Sequence, residues 1–207
     1  MLRFENLCKH YGERTIFQGL HCSVDAGCVA LNDESGSGKS ILLSILAGEI
    51  EADAGEVWLG GHSLRSAPVA ARAALAYVPD DCLPGSMEIG RDFLERIARE
   101  RQTALDSRVL ELADRFGLTA HLEKRFEQMS FGTRKKIFLT AASIGQPAVV
   151  IADEPGGGLD APARGVLVEL FKLLGQDRVV FFTSYDAALT SACEAKVVSF
   201  ADLAAKA

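Results

Sequence analysis

The sequence predicts an α/β fold with a largely parallel sheet, and three observations carry that prediction. Apolar β-prone segments alternate with helix-like ones through both ends of the chain. A glycine-rich turn joins a buried strand to a helix near the N-terminal end. Between about Pro84 and Gln146 the pattern turns wholly helical, an insert of roughly sixty residues, ordinary for a subdomain that docks on a sheet. The chain, residues 1–207, is therefore expected to form a single domain with a helical subdomain at approximately 84–146.

In chain order, Cys28-Val29-Ala30-Leu31 reads as a short buried strand, and Ile41 to Leu46 as the helix that follows the turn. Glu56-Val57-Trp58-Leu59 with Gly60-Gly61 reads as a strand and turn in an antiparallel hairpin. Ala76-Tyr77-Val78 is another strand, stopped by Pro79. Inside the insert, Phe93, Leu94 and Ile97 share one helical face, and Val109, Leu110 and Ala113 share another. Strands return at Val149-Val150-Ile151, at Val179 to Phe182 and at Val197-Val198. Val166 to Leu174 has helical spacing and ends at Gly175.

Composition narrows the class. Of 207 residues, 48% are hydrophobic and 24% charged, which excludes disordered and fibrous chains. The formal charge of −6 gives no bulk attraction to nucleic acid, and none is expected as a partner. The longest uncharged run, Ile137 to Ala152, is short for a bilayer span and is broken by Gly145-Gln146-Pro147. Met1-Leu2-Arg3-Phe4-Glu5 lacks the apolar stretch of an export signal. Cys8, Cys22, Cys28, Cys82 and Cys193 are odd in number and form no C-x-x-C pair, so reduced thiols are expected.

The most informative stretch runs from Asp33 through Glu34, Ser35, Gly36, Ser37, Gly38 and Lys39 to Ser40, between a strand and a helix. That is the setting of a phosphate-binding loop. Gly36 and Gly38 let backbone N–H groups turn inward on phosphate oxygens, and the helix adds its positive end. Lys39 suits the β- and γ-phosphates of a nucleotide, and the Ser40 hydroxyl suits Mg²⁺. The first position of the usual pattern, a glycine, is Asp33, which is expected to bring a carboxylate near the anion.

The apolar run Ala148 to Ala152 ends in Asp153-Glu154-Pro155. Parallel sheets place ligands at such strand ends. Asp153 is expected to hold Mg²⁺ opposite Ser40, and Glu154 to polarise the water that attacks the γ-phosphate.

With these motifs in order, the sequence resembles the ATP-binding-cassette (ABC) ATPases over nearly its whole length. Tyr11-Gly12 resembles the adenine-stacking aromatic of that family. Met129-Ser130-Phe131-Gly132-Thr133 stands where an L-S-G-G-Q signature is expected, and Pro155 to Asp160 resembles the segment leading into the D-loop. The resemblance implies a P-loop NTPase core with an antiparallel β subdomain and the helical insert. It further implies that Ser130 and Gly132 contact the nucleotide of a second subunit, and that Asp160 links the two sites. Ser130 and Asp160 are equally suited to capping the helices that follow them.

The departures from the family bear on activity. Besides Asp33, Asp80 follows Pro79 where glutamine is usual, and it is expected to ligate Mg²⁺ or a water. Phe131 replaces a glycine in the signature, and Tyr185 stands where a histidine is expected. Tyrosine offers one donor but does not readily become cationic, so slowed hydrolysis is expected. The resemblance, export-type at Tyr77 to Leu94 and Met129 to Leu139, implies an ATP-hydrolysing transporter subunit. Such a subunit pairs with a second one and drives a separate integral permease at the inner face of the membrane. The alternative is a regulatory, catalytically weak subunit; Asp33 and Tyr185 favour it, while Lys39, Ser40, Asp153 and Glu154 oppose it.

Overall fold

The computed structural model describes residues 1–83 and 87–204; Pro84, the expected start of the helical insert, lies outside the described residues. Two sheets stand at the centre. The first is five-stranded and parallel, built from β3 (Gly27–Leu31), β6 (Leu75–Val78), β7 (Val149–Ala152), β8 (Val179–Thr183) and β9 (Lys196–Val198). Its spatial order is β6-β7-β8-β3-β9. The second is antiparallel, formed by β1 (Leu2–Tyr11), β2 (Arg14–Val24), β4 (Ala54–Leu59) and β5 (His62–Ser63) in the order β2-β1-β4-β5.

The central strands read as unbroken apolar runs because both of their faces are covered. Val149, Ile151, Val179 and Phe181 face one core, shared with Leu42, Leu43, Ile45 and Leu46 of α1 (Lys39–Leu46) and with the antiparallel sheet. Val150, Ala152, Val180 and Phe182 face the other, shared with α6 (Ala161–Leu174) and the helical insert. Phe181 and Phe182 are both fully buried, each contributing about 1.5–3 kcal/mol of transfer free energy. A one-residue slip would exchange the two faces, so the register is strongly specified.

The insert contains α3 (Gly90–Glu100), α4 (Ser107–Arg115), a 3-10 turn at Phe126–Gln128 and α5 (Phe131–Ala141). Phe93, Phe126 and Phe138 pack ring on ring at its centre, with centroids 4.8 to 6.1 Å apart. Leu94 is buried and Ile97 packs against the same core, as their spacing predicts. The expected face on α4 is corrected: Leu110 is exposed, and Leu112 is buried beside Val109 and Ala113. Positions three and four apart face together, whereas Leu110 is turned roughly 100° from Val109.

The antiparallel sheet is larger than the sequence suggests. β4 does form a hairpin with β5, but β5 is only a two-residue strand, and the longer partner of β4 is β1. The hairpin of β1 and β2 escapes a periodicity search for a local reason. Asn6 has φ 51, and the register shifts between Phe4 and Leu7, so the alternation begun by Leu2 and Phe4 changes phase. Gly55 faces this kink; a side chain there would strike the Asn6 carbonyl.

Candidate functional site

The parallel topology brings the C-terminal ends of the strands together. Leu31 lies beside Thr183, Ala152 beside Phe182, and Val78 beside Ala152. The segments that continue from them carry Asp33 to Ser40, Asp153-Glu154, Ser184-Tyr185 and Pro79-Asp80. Ser40, Asp80 and Asp153 line one cleft of about 730 Å³ together with Tyr77.

The phosphate loop is shaped by its glycines. Gly36 has φ 75 and Gly38 φ 102, in the region that favours glycine. Gly38 opens α1 as its N-cap, and a β-carbon there would collide with Ile16 of β2. Glu34, Ser35 and Gly36 are exposed, and Ser37 is half-buried with its Oγ lacking a partner. Lys39 is buried, and its ammonium donates to the carbonyls of Asp33 at 2.7 Å and Glu34 at 2.8 Å. Its third bond goes to Tyr185 Oη at 2.7 Å, and the ammonium also sits 4.2 Å from the Tyr185 ring centroid.

Asp33 behaves differently from its expectation. Its φ is outside the glycine region, so the β-carbon is tolerated. One carboxylate oxygen accepts from Glu34 N at 2.8 Å and the other from Phe200 N at 2.9 Å. Phe200 begins the short helix α8 (Phe200–Leu203) and stacks on Phe17 at 5.7 Å. The carboxylate thus anchors the C-terminal segment, and Asp33 meets Lys39 through its carbonyl alone.

Across the cleft, Asp153 is buried and Thr183 Oγ1 donates to its Oδ1 at 2.6 Å. The same Thr183 oxygen accepts from Glu154 N at 2.9 Å. Glu154 has φ 42, a strained conformation for a residue with a side chain. Burial first, then repulsion from Asp153, raises its pKa above the ordinary glutamate value, with Lys39 and the Tyr185 N–H pulling the other way. Its Oε1 is buried without a partner. Asp80, expected on a metal, places Oδ1 3.3 Å from Lys135 Nζ.

The cleft fits a Mg²⁺–nucleotide. Ser37 Oγ, in the glycine-rich loop, and Glu154 Oε1, at the end of β7, are both buried without a partner. No group of three or more His, Cys, Asp or Glu suited to a metal occurs among the described residues.

The family model described as ABC transporter matches residues 17–157. An ABC transporter ATP-binding protein of Halobacterium salinarum is 32% identical over 84% of this chain and 77% of its own length. The linearmycin resistance ATP-binding protein LnrL of Bacillus subtilis is 28% identical over 89% of this chain and 61% of its own. The ATP-binding cassette MJ0796, solved as a dimer in a post-hydrolysis state with ADP and Pi, superposes with TM-score 0.80 at 18% identity. That superposition covers 96% of this chain and 94% of the other. The chain belongs to the ABC transporter family. It is an ATP-binding, ATP-hydrolysing subunit of the ABC kind, and its core is a P-loop NTPase fold with antiparallel and helical additions.

The segment that resembles the ABC signature, Met129 to Thr133, sits at the start of α5. Ser130 caps the helix, accepting from Thr133 N at 3.2 Å. Gly132 packs so closely on the Gly158 carbonyl that a side chain would clash. Phe131 fills the space over Gly157 and Gly158 that larger residues there would occupy. Asp160 caps α6 through Ala163 N at 2.9 Å and pairs with Lys136 at 3.0 Å. Those two contacts, backbone first, hold its carboxyl below the usual aspartate range. Tyr11, at the end of β1, is 52% exposed, with Lys9 Nζ 5.2 Å from its ring centroid.

Two residues at the site escape sequence reasoning. Thr183 lies just past the strand read as Val179 to Phe182, and its pairing with Asp153 is set by strand neighbours. Lys135 reads as a surface lysine amid Arg134 and Lys136, yet it is 0% exposed. No local pattern marks either; only the packing of α5 on the strand ends does.

Proposed function

We propose that this ABC ATPase subunit closes on Mg·ATP with a second ABC subunit and drives a separate integral membrane permease. The observation that carries the reading is the convergence of Lys39, Asp153 and Glu154 at adjoining strand ends. Lys39 and the backbone from Glu34 to Gly38 bind the phosphates, and Tyr11 offers its exposed ring face to adenine. Ser40 and Asp153, with Asp80 on the same cleft, would hold Mg²⁺, which when bound neutralises charge on the phosphates. Glu154 Oε1 accepts the proton of the attacking water, and its raised pKa makes it a stronger base. Tyr185 gives up Lys39 as nucleotide enters and turns its hydroxyl towards the γ-phosphate.

Ser130 and Gly132 offer a helix N-terminus to the nucleotide held by the second subunit, and Asp160 lies beside them for the linkage. The dimeric state of the similar cassette supports that arrangement. Among the described residues no helix is long and apolar enough to cross a membrane. The subunit then sits at the cytoplasmic face, with no nucleic-acid partner. Glu154→Gln tests the reading: turnover should fall by about 10²–10⁴-fold, with ATP retained and a dimer visible by gel filtration. Undiminished turnover would remove Glu154 as the base.

A further inference from the structure

We propose that Lys135 is a positioning residue for Glu154, clamping the Asp153–Glu154 peptide from the helical insert. This rests on the reading of Glu154 as the base. A fully buried ammonium is costly to keep unless its donors are matched. Lys135 Nζ contacts four oxygens: Asp80 O at 2.9 Å, Asp153 O at 3.1 Å, Pro79 O at 3.2 Å and Asp80 Oδ1 at 3.3 Å. It therefore joins three segments, namely α5, the loop after β6 and the end of β7.

The Asp153 carbonyl and the Glu154 N–H belong to one peptide group. The carbonyl accepts from Lys135, and the N–H donates to Thr183 Oγ1 at 2.9 Å. Thr183 is itself fixed by donating to Asp153 Oδ1. Held at both polar ends, this peptide cannot rotate without breaking a buried hydrogen bond. Immediately after it comes the left-handed backbone of Glu154, which persists only where the surroundings over-determine it. The clamp supplies that determination, and with it the direction of the Glu154 side chain.

Two further features fall into place. Asp80 supplies the negative charge that accompanies the Lys135 ammonium, giving an acid at that position a role apart from metal binding. Lys135 also lies one helical turn beyond the capped start of α5 at Ser130, so a shift of that helix reaches the Glu154 peptide through a single side chain.

The test compares ATP hydrolysis by the full chain, in steady state and in single turnover, for Lys135→Met, Glu154→Gln and the double variant. Lys135→Met should lower kcat by about 10–100-fold, with KM for Mg·ATP nearly unchanged, because misplacement rather than lost binding is the fault. In the Glu154→Gln background the same change should add nothing. Lys135→Gln keeps N–H donors and should recover part of kcat; it also serves if Lys135→Met does not fold. An equal loss in both backgrounds, a KM effect alone, or normal turnover by Lys135→Met beside an inactive Glu154→Gln would overturn the clamp. Full turnover by Glu154→Gln would instead overturn the base itself.

Discussion

In the phosphate loop, consecutive residues from Asp33 to Ser40 make their own cradle. Gly36 and Gly38 set its path, the Lys39 ammonium folds back on the Asp33 and Glu34 carbonyls, and α1 begins at once. Across the cleft, Asp80, Asp153, Glu154 and Tyr185 follow three different strands; Thr183 and Lys135 hold the first three, and Tyr185 rests on Lys39. Apart from the Asp33 carboxylate, which reaches Phe200 N, the first side is built of backbone and short-range contacts, so its conformation is tied to its own sequence. The second is built of side chains that meet through the sheet order, so a change in one strand end is felt at the others. The two sides touch where Tyr185 Oη meets Lys39.

The largest expected break of this contrast is Lys39→Ala. A charge-assisted hydrogen bond is worth about 1.5–3 kcal/mol, and loss of the ammonium should weaken ATP binding on the order of 100-fold. Titration with a fluorescent ATP analogue measures it, and the fold should survive because the glycine turns remain. Next comes Tyr185→His, at the contact between the two sides. A ring that can carry positive charge should raise the rate of phosphate release roughly tenfold, about 1.4 kcal/mol of barrier. An unchanged rate would show that Tyr185 does not limit turnover.

A smaller effect concerns stability and pH on the strand-end side. The folded state raises the Glu154 pKa, so ionisation takes stability away as pH rises from the ordinary glutamate range through the folded value. Glu154→Gln removes that penalty. Its Tm should exceed the parent's at neutral pH, and the gap should close below the ordinary glutamate range. A gap that persists unchanged in acid would exclude ionisation as its cause. Asp33→Ala should do least to the site: it loses the bonds from Glu34 N and Phe200 N, costing about 1 kcal/mol of stability. ATP affinity should stay within about twofold, since such a surface-loop loss leaves the cradle intact. A marked gain in affinity would mean that the carboxylate does face the phosphates.

Legibility in the sequence follows the same division. The parallel strands were readable because burial on both faces leaves uninterrupted runs such as Val149 to Ala152. The glycine-rich turn into α1 was readable because Gly36 and Gly38 stand between a buried strand and a helix. The β1–β2 hairpin was not, since the kink at Asn6 breaks its alternation. The exposure of Leu110 is not legible, because the apolar pairs Val109-Leu110 and Leu112-Ala113, on either side of Glu111, admit two neighbouring helical faces.

By itself, then, the sequence determined the α/β class, the glycine-rich turn into α1 and the acid-ended strand, because each is a local pattern with a local physical cause. Only the tertiary structure decided that the Asp33 carboxylate turns to Phe200, that Tyr185 rests on Lys39, and that Lys135 is a buried cation. Each of those is a long-range pairing, where a polar group takes whichever partner the packed sheets and helices bring to it. Sequence position states that such groups need partners; the fold alone selects them.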